Sequence, residues 1–507
     1  MPKNNFEPNY NLYSAGIITI AIIFQFLRWD IFPMFIDIYY HLGVMLGFAK
    51  AGGYVTSSFW EFAPIGRPHL YPPLLHFLML IFLKFGIEKI IIAKIFTFFM
   101  YPFSLFSIWL FARKIYNERI AFFSVLLAGS SFYFYLETSN IIAFSFALAL
   151  SLICLVFFIK GKNLTSGIFL GLVFYTHTIV GWLLALAILI NSVMDKRFSR
   201  SVRVFALGIL LYLPLLFHQM YNFKYFRFVD VKAMHYIEIN FLIYLTSFLG
   251  LFLFLARKVK AHNILSSLLI SFALLIIIFP QRIFSGSAML FFIFLAAVAL
   301  DWLLVRTKIK VWIFVSIIFV LFYLFSPTIS FSARDKPMLT GLNSTFVNFM
   351  PKIKESTRAN ETNIYSSEFV DPLVKIIEKN SLNDDIICSN FKYTAGMLSV
   401  LSARPTSSAM LSEVKSYRDF DMIGASRLII WLKELDGSFP IGLKEIVKKY
   451  NLKKVDVTDI AYVYKNDLYV PKDLSVKPVV SFNCVMLILV ILIGLILYDN
   501  LKIKPSD

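Results

Sequence analysis

A carboxylate and an imidazole lie close together in the sequence, shortly after its first apolar run. They are Asp37 and His41, in the stretch Asp-Ile-Tyr-Tyr-His. Residues four apart share one face of a helix, so the two side chains are expected to be neighbours. A carboxylate beside an imidazole is suited to proton abstraction or to metal binding. The alternative is that both residues cap and anchor a helix at an interface.

Three more polar residues stand at the ends of apolar runs. Glu137 follows the aromatic run 132–135, His177 lies in Tyr-Thr-His-Thr, and Arg282 follows Pro-Gln. An arginine at the depth of lipid headgroups is a natural ligand for a phosphate, because its planar fork matches phosphate oxygens. The alternatives are an ordinary helix end for Glu137, a structural imidazole for His177 and a snorkelling side chain for Arg282.

The amino-acid composition indicates whether these residues belong to a water-soluble protein or to a membrane protein. The chain has 507 residues and is 58% hydrophobic, 17% aromatic and 16% charged, with a mean hydropathy of +0.73. Soluble domains carry roughly 25% charged residues. Apolar runs of about 17 to 22 residues recur through the first two thirds of the chain, long enough to cross a hydrocarbon core of about 30 Å. The composition excludes a soluble globular protein and predicts a polytopic α-helical membrane protein.

The net charge of +18 comes from short Lys and Arg clusters between apolar runs and not from one basic patch. The positive-inside rule produces this placement, so the charge indicates membrane orientation. We therefore expect no nucleic-acid partner. The spacing of the three cysteines predicts neither a disulfide framework nor a zinc site.

One apolar run, 72–86, decides the topology. It opens with two prolines and is among the shortest. If it lies on the membrane surface, within a first outer loop at 30–89, the basic clusters near Arg113, Arg197 and Lys258 all fall inside. The roughly two-to-one excess of inside Lys and Arg favours this arrangement. It predicts about twelve spans in the cell membrane, both termini cytoplasmic and an extracytoplasmic active site.

A composition shift after residue 327 predicts a small domain before the last span. Leu373–Lys379 and 442–450 each have the pattern of a helix that is followed by a strand, which is typical of an α/β domain. The predicted divisions are a transmembrane domain, an extracytoplasmic α/β domain, and a last span with a cytoplasmic tail, at 1–327, 328–477 and 478–507.

The first outer loop resembles that of the GT-C glycosyltransferases. The resemblance is carried by Asp37 and His41 soon after the first span, then Trp60, Pro-Ile-Gly-Arg67-Pro and Tyr71-Pro-Pro. That class includes oligosaccharyltransferase catalytic subunits, protein O-mannosyltransferases and lipid A aminoarabinose transferases. The chain lacks the Trp-Trp-Asp-Tyr-Gly run with which oligosaccharyltransferases recognise acceptor sequons. Transfer to protein asparagine is therefore not implied.

The resemblance implies a hexosyl or pentosyl transferase that inverts the sugar taken from a polyprenyl- or dolichyl-phosphate carrier. Asp37 would be the general base, with His41 and Glu137 orienting it. The sequence assigns no cofactor by itself, and the resemblance allows Mg²⁺ or Mn²⁺ between Asp37 and Glu137. The expected substrate-binding residues are Arg67, His69, His177 and Arg282.

The expected partners are the lipid-linked sugar donor, a glycan, lipid or protein acceptor, and membrane lipid. The principal rival function is a transporter or lipid flippase, which places charged residues near the membrane midplane and often has repeated halves. A second rival is a membrane scaffold whose outer domain binds a partner. In this sequence the polar candidates gather at the outer ends of the apolar runs, which favours an enzyme at the outer surface.

Overall fold

The fold is described from a computed structural model of the chain. The residues that it describes are 8–33, 36–140, 142–196, 198–227, 236–256, 263–278, 286–332, 338–340, 367–410, 413–435 and 442–501.

Apolar helices make up the first two thirds of the chain. Their bounds are α1 Tyr10–Leu27, α2 Asp37–Ala51, α3 Leu74–Lys84, α4 Lys89–Ile115, α5 Glu118–Ser130, α6 Phe132–Asn140, α7 Ile142–Lys160, α8 Asn163–Phe174, α9 Thr178–Met194, α10 Phe198–Tyr221, α11 Phe241–Leu255, α12 Asn263–Ile278, α13 Gly286–Thr307 and α14 Val311–Phe319. A π-helical segment, Val320–Phe325, continues α14.

Within the described ranges, six helices are long and apolar enough to cross a membrane: Tyr10–Leu27, Lys89–Ile115, Ala143–Lys160, Phe198–Tyr221, Met289–Thr307 and Phe482–Leu501. Shorter apolar helices lie between them, and each run predicted to span contains a helix. The helical membrane architecture is confirmed, and the count of about twelve spans stays a prediction.

The apolar run 72–86, on which the predicted topology depends, forms the short helix α3. Its 11 residues rise about 16 Å, roughly half of a hydrocarbon core. It packs on α2 through buried residues such as Leu75, Met79 and Leu80. The length of α3 fits a helix that lies along the membrane surface.

The last third of the chain contains a four-stranded sheet. Helices α15 Ser367–Asn380, α16 Lys392–Ser402 and α17 Leu443–Lys449 accompany strands β7 Ile387–Ser389, β8 Leu428–Leu432, β9 Lys453–Val457 and β10 Ala461–Lys465. The strand order is β7-β8-β10-β9, with only the β7–β8 pair parallel. Strand β8 is buried on both faces, as its continuous apolar run requires. The helix and strand pairs predicted in this segment are present.

Short strands elsewhere connect distant parts of the chain. They are β1 Gly53–Tyr54, β2 Ser57–Ser58, β3 Arg67–Pro68, β4 Tyr236–Asn240, β5 Thr328–Ser332, β6 Met338–Thr340 and β11 Val480–Ser481, which precedes the last helix, α18 Phe482–Leu501. Strand β1 pairs antiparallel with β11. A Cβ atom at Gly53 would collide with the carbonyl oxygen of Val480, so this close pairing requires glycine. The end of α2 is thereby fixed beside the start of the last helix.

Backbone hydrogen bonds also join the first outer loop to the last third of the chain. The amide of Phe62 donates to Ser408 at 3.2 Å, and the amide of Ala63 donates to Thr406 at 3.0 Å. In the opposite direction, the amide of Thr406 donates to Trp60 at 2.9 Å. The loop and the segment after α16 therefore form one continuous surface.

Candidate active site

A cavity of about 370 Å³ lies where the first outer loop, the start of α9 and the end of α10 meet residues 413–414. This volume is within the range of small-molecule sites, roughly 300–1,000 Å³. Three predicted substrate-binding residues, Arg67, His69 and His177, line it together. The two neighbouring helices that support it, α8 and α10, pack closely, since a Cβ at Gly208 would lie 2.6 Å from Leu170 Cδ2.

Arg67 connects the first outer loop to the last third of the chain. Strand β3 places it beside β2, and its buried guanidinium forms an ion pair with buried Glu61. Arg67 Nη1 donates to the carbonyl oxygen of Val414 at 3.1 Å, while Glu61 Oε1 accepts from the amide of Met410 at 2.8 Å. The charge of Arg67 is therefore compensated, and the pair holds the cavity wall in place.

His69 is buried beside Arg67 and anchored through its backbone. Its amide donates to Thr56 at 2.8 Å, and its carbonyl oxygen lies 3.0 Å from His218 Nε2. Burial, with the nearby charge of Arg67, lowers the pKa of His69 to about 3. Its Nε2 atom has no hydrogen-bond partner among the described residues. The ring is therefore neutral near pH 7 and presents a nitrogen for hydrogen bonding.

His41 hydrogen-bonds to a second histidine behind the cavity wall. Its Nδ1 lies 2.9 Å from Nε2 of His76 in α3. Burial, and then the proximity of His177, lowers the pKa of His41 to about 3. Burial also lowers the pKa of His76, well below its usual value. Both rings are neutral near pH 7, so one nitrogen of the pair donates and the other accepts.

Asp37 begins α2 and is half-buried. The predicted helical spacing of Asp37 and His41 is present, although the hydrogen bond of His41 is made to His76. The pKa of Tyr71, which lines the cavity, is raised by burial and further by the charges of Asp37 and Glu413. Asp37 therefore lies close to the cavity wall.

Glu137 is not among the described residues that line the cavity. Glu137 is buried near the end of α6, and its carbonyl oxygen accepts from Ser145 Oγ at 3.0 Å. Its charge interacts with Tyr244 of α11. Arg282 lies outside the described residues, so its predicted role in binding phosphate stays a prediction.

The predicted cation site also stays a prediction. The part of the chain that the structure describes contains no group of three or more His, Cys, Asp or Glu side chains placed to hold a metal ion. The carboxylates of Asp37 and Glu137 match the oxygen ligands that Mg²⁺ and Mn²⁺ prefer. Mg²⁺ often takes only one or two protein carboxylates and completes its shell with water and phosphate.

Several residues of this site were not predicted from the sequence. Glu413 enters the cavity from the last third of the chain, and no sequence pattern marks it. Two others, His76 and His218, could have been recognised from the sequence, because histidine is scarce in so apolar a chain. The described histidines all lie at or beside the cavity: His41, His69, His76, His177 and His218.

No protein-family model matches the chain, and no curated protein matches it. Solved structures do resemble it. An oligosaccharyltransferase from Archaeoglobus fulgidus, solved with Zn and sulfate, aligns with a TM-score of 0.57 and 11% identity over 89% of this chain and 73% of its own. ArnT from Cupriavidus metallidurans, in the apo state, aligns with a TM-score of 0.55 and 14% identity over 90% of this chain and 99% of its own.

The archaeal oligosaccharyltransferase AglB from Archaeoglobus fulgidus, in complex with an inhibitory peptide and a dolichol-phosphate, aligns with a TM-score of 0.54. Its identity is 11%, over 91% of this chain and 76% of its own. These alignments extend over both the apolar helices and the last third of the chain. The chain therefore shares its overall fold with these oligosaccharyltransferase and ArnT structures.

Proposed function

We propose that this protein is an inverting membrane glycosyltransferase, which takes a sugar from a polyprenyl- or dolichyl-phosphate carrier and transfers it to an acceptor on the extracytoplasmic side. The observation that carries the proposal is the cavity next to Asp37, enclosed jointly by the first outer loop and the last third of the chain. The complex of AglB with a dolichol-phosphate supports a carrier of this class.

Asp37 is the proposed general base. As an acceptor hydroxyl oxygen attacks the anomeric carbon, Asp37 accepts the hydroxyl proton. The bond between that carbon and the phosphate oxygen breaks, and the lipid phosphate leaves with the electron pair. A lipid phosphate is a good leaving group, so no general acid is required. A single displacement of this kind inverts the anomeric configuration.

The histidines contribute hydrogen bonds without adding charge. Low pKa values keep His41 and His69 neutral near pH 7. His177 immediately precedes α9 and lines the cavity. The neutral ring of His69 orients a substrate hydroxyl and leaves Asp37 as the base. The hydrogen bond between His41 and His76 holds α2, and therefore Asp37, against α3.

Charge on the donor phosphate would be balanced by Arg282 and by a divalent cation. Asp37 and Glu137 are the residues that would hold the cation, which would neutralise negative charge on the phosphate. Arg67 has a different proposed role, because its guanidinium already pairs with Glu61. It keeps in position the wall of the cavity that it lines.

Identification of the lipid that copurifies with the protein tests this function. Mass spectrometry of a chloroform extract is expected to find a polyprenyl or dolichyl phosphate in the wild type and in Asp37→Asn, because Asn cannot act as a base but keeps the shape and one oxygen atom of the Asp side chain. A sugar-linked form should accumulate in Asp37→Asn. Extracts that contain only bulk membrane lipids would favour the transporter or the scaffold.

A further inference from the structure

Glu413 is held at the cavity by contacts on both sides of its backbone. The amide of Arg227 donates to the carbonyl oxygen of Glu413 at 2.6 Å, and the amide of Lys415 donates to Tyr225 at 2.9 Å. On the other side, Arg67 Nη1 donates to the carbonyl oxygen of Val414 at 3.1 Å. Residues 413–415 therefore bridge the first outer loop and the segment after α10.

The side chain of Glu413 lines the cavity and has unused hydrogen-bonding capacity. Its Oε2 atom is buried and has no hydrogen-bond partner in the described part of the chain. The nearby cation Arg67 already forms its ion pair with Glu61. A buried carboxylate oxygen without a donor is costly, so a ligand that supplies an O–H or N–H group would gain free energy there.

Aromatic side chains also line this cavity. Tyr71, Phe223 and Phe226 line the same cavity. The rings of Phe223 and Phe226 lie 6.0 Å apart at an interplanar angle of 20°. Aromatic faces offer flat apolar surfaces, and a carboxylate offers strong hydrogen-bond acceptors. A sugar ring meets both requirements, since it has an apolar C–H face and hydroxyl donors at its edge.

Charge also favours a neutral, hydroxylated ligand at this position. Glu413 lies near Tyr71, and a phosphate placed beside its carboxylate would be repelled. The donor phosphate is therefore expected to bind away from Glu413. A neutral, hydroxylated acceptor would fit beside Glu413.

We propose that Glu413 is a positioning residue for the acceptor, that the acceptor is a glycan, and that one of its hydroxyl groups donates to Glu413 Oε2. The proposal rests on the glycosyltransferase function and names the acceptor class of that same site. It assigns a substrate-recognition role to the last third of the chain. It also agrees with the lack of a Trp-Trp-Asp-Tyr-Gly run for recognising peptide sequons.

Binding of simple acceptor probes tests the proposal without the donor. The full-length protein in lipid nanodiscs is titrated by calorimetry with the methyl glycosides of mannose, glucose, galactose and N-acetylglucosamine, and with the peptide N-acetyl-Asn-Gly-Thr-amide. The variants are Glu413→Gln, Glu413→Asp and the matched control Glu445→Gln, which changes an exposed residue of α17. Thermal unfolding of each variant reports on its folding.

At least one glycoside is expected to bind the wild type and Glu445→Gln equally. Its affinity should fall about tenfold or more in Glu413→Gln, the range for a lost hydrogen bond to a charged group. Glu413→Asp keeps the charge but shortens the side chain, so an intermediate loss is expected. Equal glycoside binding by Glu413→Gln, binding of no glycoside, or Glu413-dependent binding of the peptide alone would each overturn the proposal.

Failure of this proposal can be distinguished from failure of the glycosyltransferase function. The copurified lipid is measured in the same preparations, and Glu413→Gln should retain as much polyprenyl phosphate as the wild type. A polyprenyl phosphate with no Glu413-dependent glycoside binding would reject only the acceptor assignment. Absence of any such lipid would reject the transferase function itself.

Discussion

Arg67 donates a hydrogen bond to the carbonyl oxygen of Val414 across 347 positions of the chain, at 3.1 Å. The same guanidinium pairs with Glu61, which in turn accepts from the amide of Met410. Through these contacts, a buried ion pair in the first outer loop fixes the segment that carries Glu413. The shape of the cavity therefore depends on residues from opposite ends of the chain.

Removal of Arg67 should destabilise the fold strongly. Arg67→Ala leaves Glu61 buried without its cation, and the loss of one partner of a buried pair typically costs about 3–5 kcal/mol. Thermal unfolding in detergent is the measurement. Arg113→Ala is the matched control, because Arg113 and Glu118 form an exposed pair of the kind worth about 0–1 kcal/mol. Equal stability losses in the two variants would refute the bracing role of Arg67.

The buried histidines predict that stability falls in acid. The folded pKa values of His41 and His69 are about 3, whereas an unfolded imidazole takes up a proton near pH 6.5. Between these values the unfolded state binds more protons, so the melting temperature should fall as the pH is lowered from about 7 to about 4. His41→Gln removes one of these groups and should flatten the dependence. If the melting temperature of His41→Gln falls as steeply with pH as that of the wild type, the low pKa assigned to His41 is wrong.

The topology makes a prediction for accessibility. In a Cys484→Ser background, a cysteine in place of Lys472 should react with an impermeant maleimide in intact cells. A cysteine in place of Lys114 should react only after permeabilisation. Both positions are exposed, and the natural Cys154 and Cys388 are buried. The reverse labelling pattern would place the cavity on the cytoplasmic side.

The sequence predicted the helices well because a bilayer leaves few alternatives. Every backbone polar group in hydrocarbon must be satisfied internally, so long apolar runs become helices. The opening prolines of 72–86 also identified a segment that forms the short helix α3. Helix–strand pairs such as α15 and β7 followed from the change in hydrophobic period.

The contacts between residues within the site could not be predicted from the sequence in the same way. Asp37 and His41 have the expected helical spacing, but the hydrogen bond of His41 goes to His76 because α3 packs on α2. Glu61 meets Arg67 only because β2 and β3 pair. Glu413 reaches the cavity through long-range backbone contacts. Such contacts depend on tertiary packing and leave no periodic signal in the sequence.

The proposed function depends most directly on Asp37 as the general base. Asn preserves the shape of Asp and most of its hydrogen bonding, but it cannot accept a proton from an acceptor hydroxyl. General-base catalysis contributes roughly 100- to 10,000-fold to a rate. Asp30, exposed in the turn after α1, provides the matched control because Asp30→Asn makes the same change outside the cavity.

The decisive measurement is the rate of sugar transfer from the copurified lipid donor in Asp37→Asn and Asp30→Asn, followed by mass spectrometry. Asp37→Asn should transfer at least about 100-fold more slowly than the wild type, with an unchanged melting temperature and normal lipid content, while Asp30→Asn keeps the wild-type rate. Transfer by Asp37→Asn at a rate near that of the wild type would contradict the account.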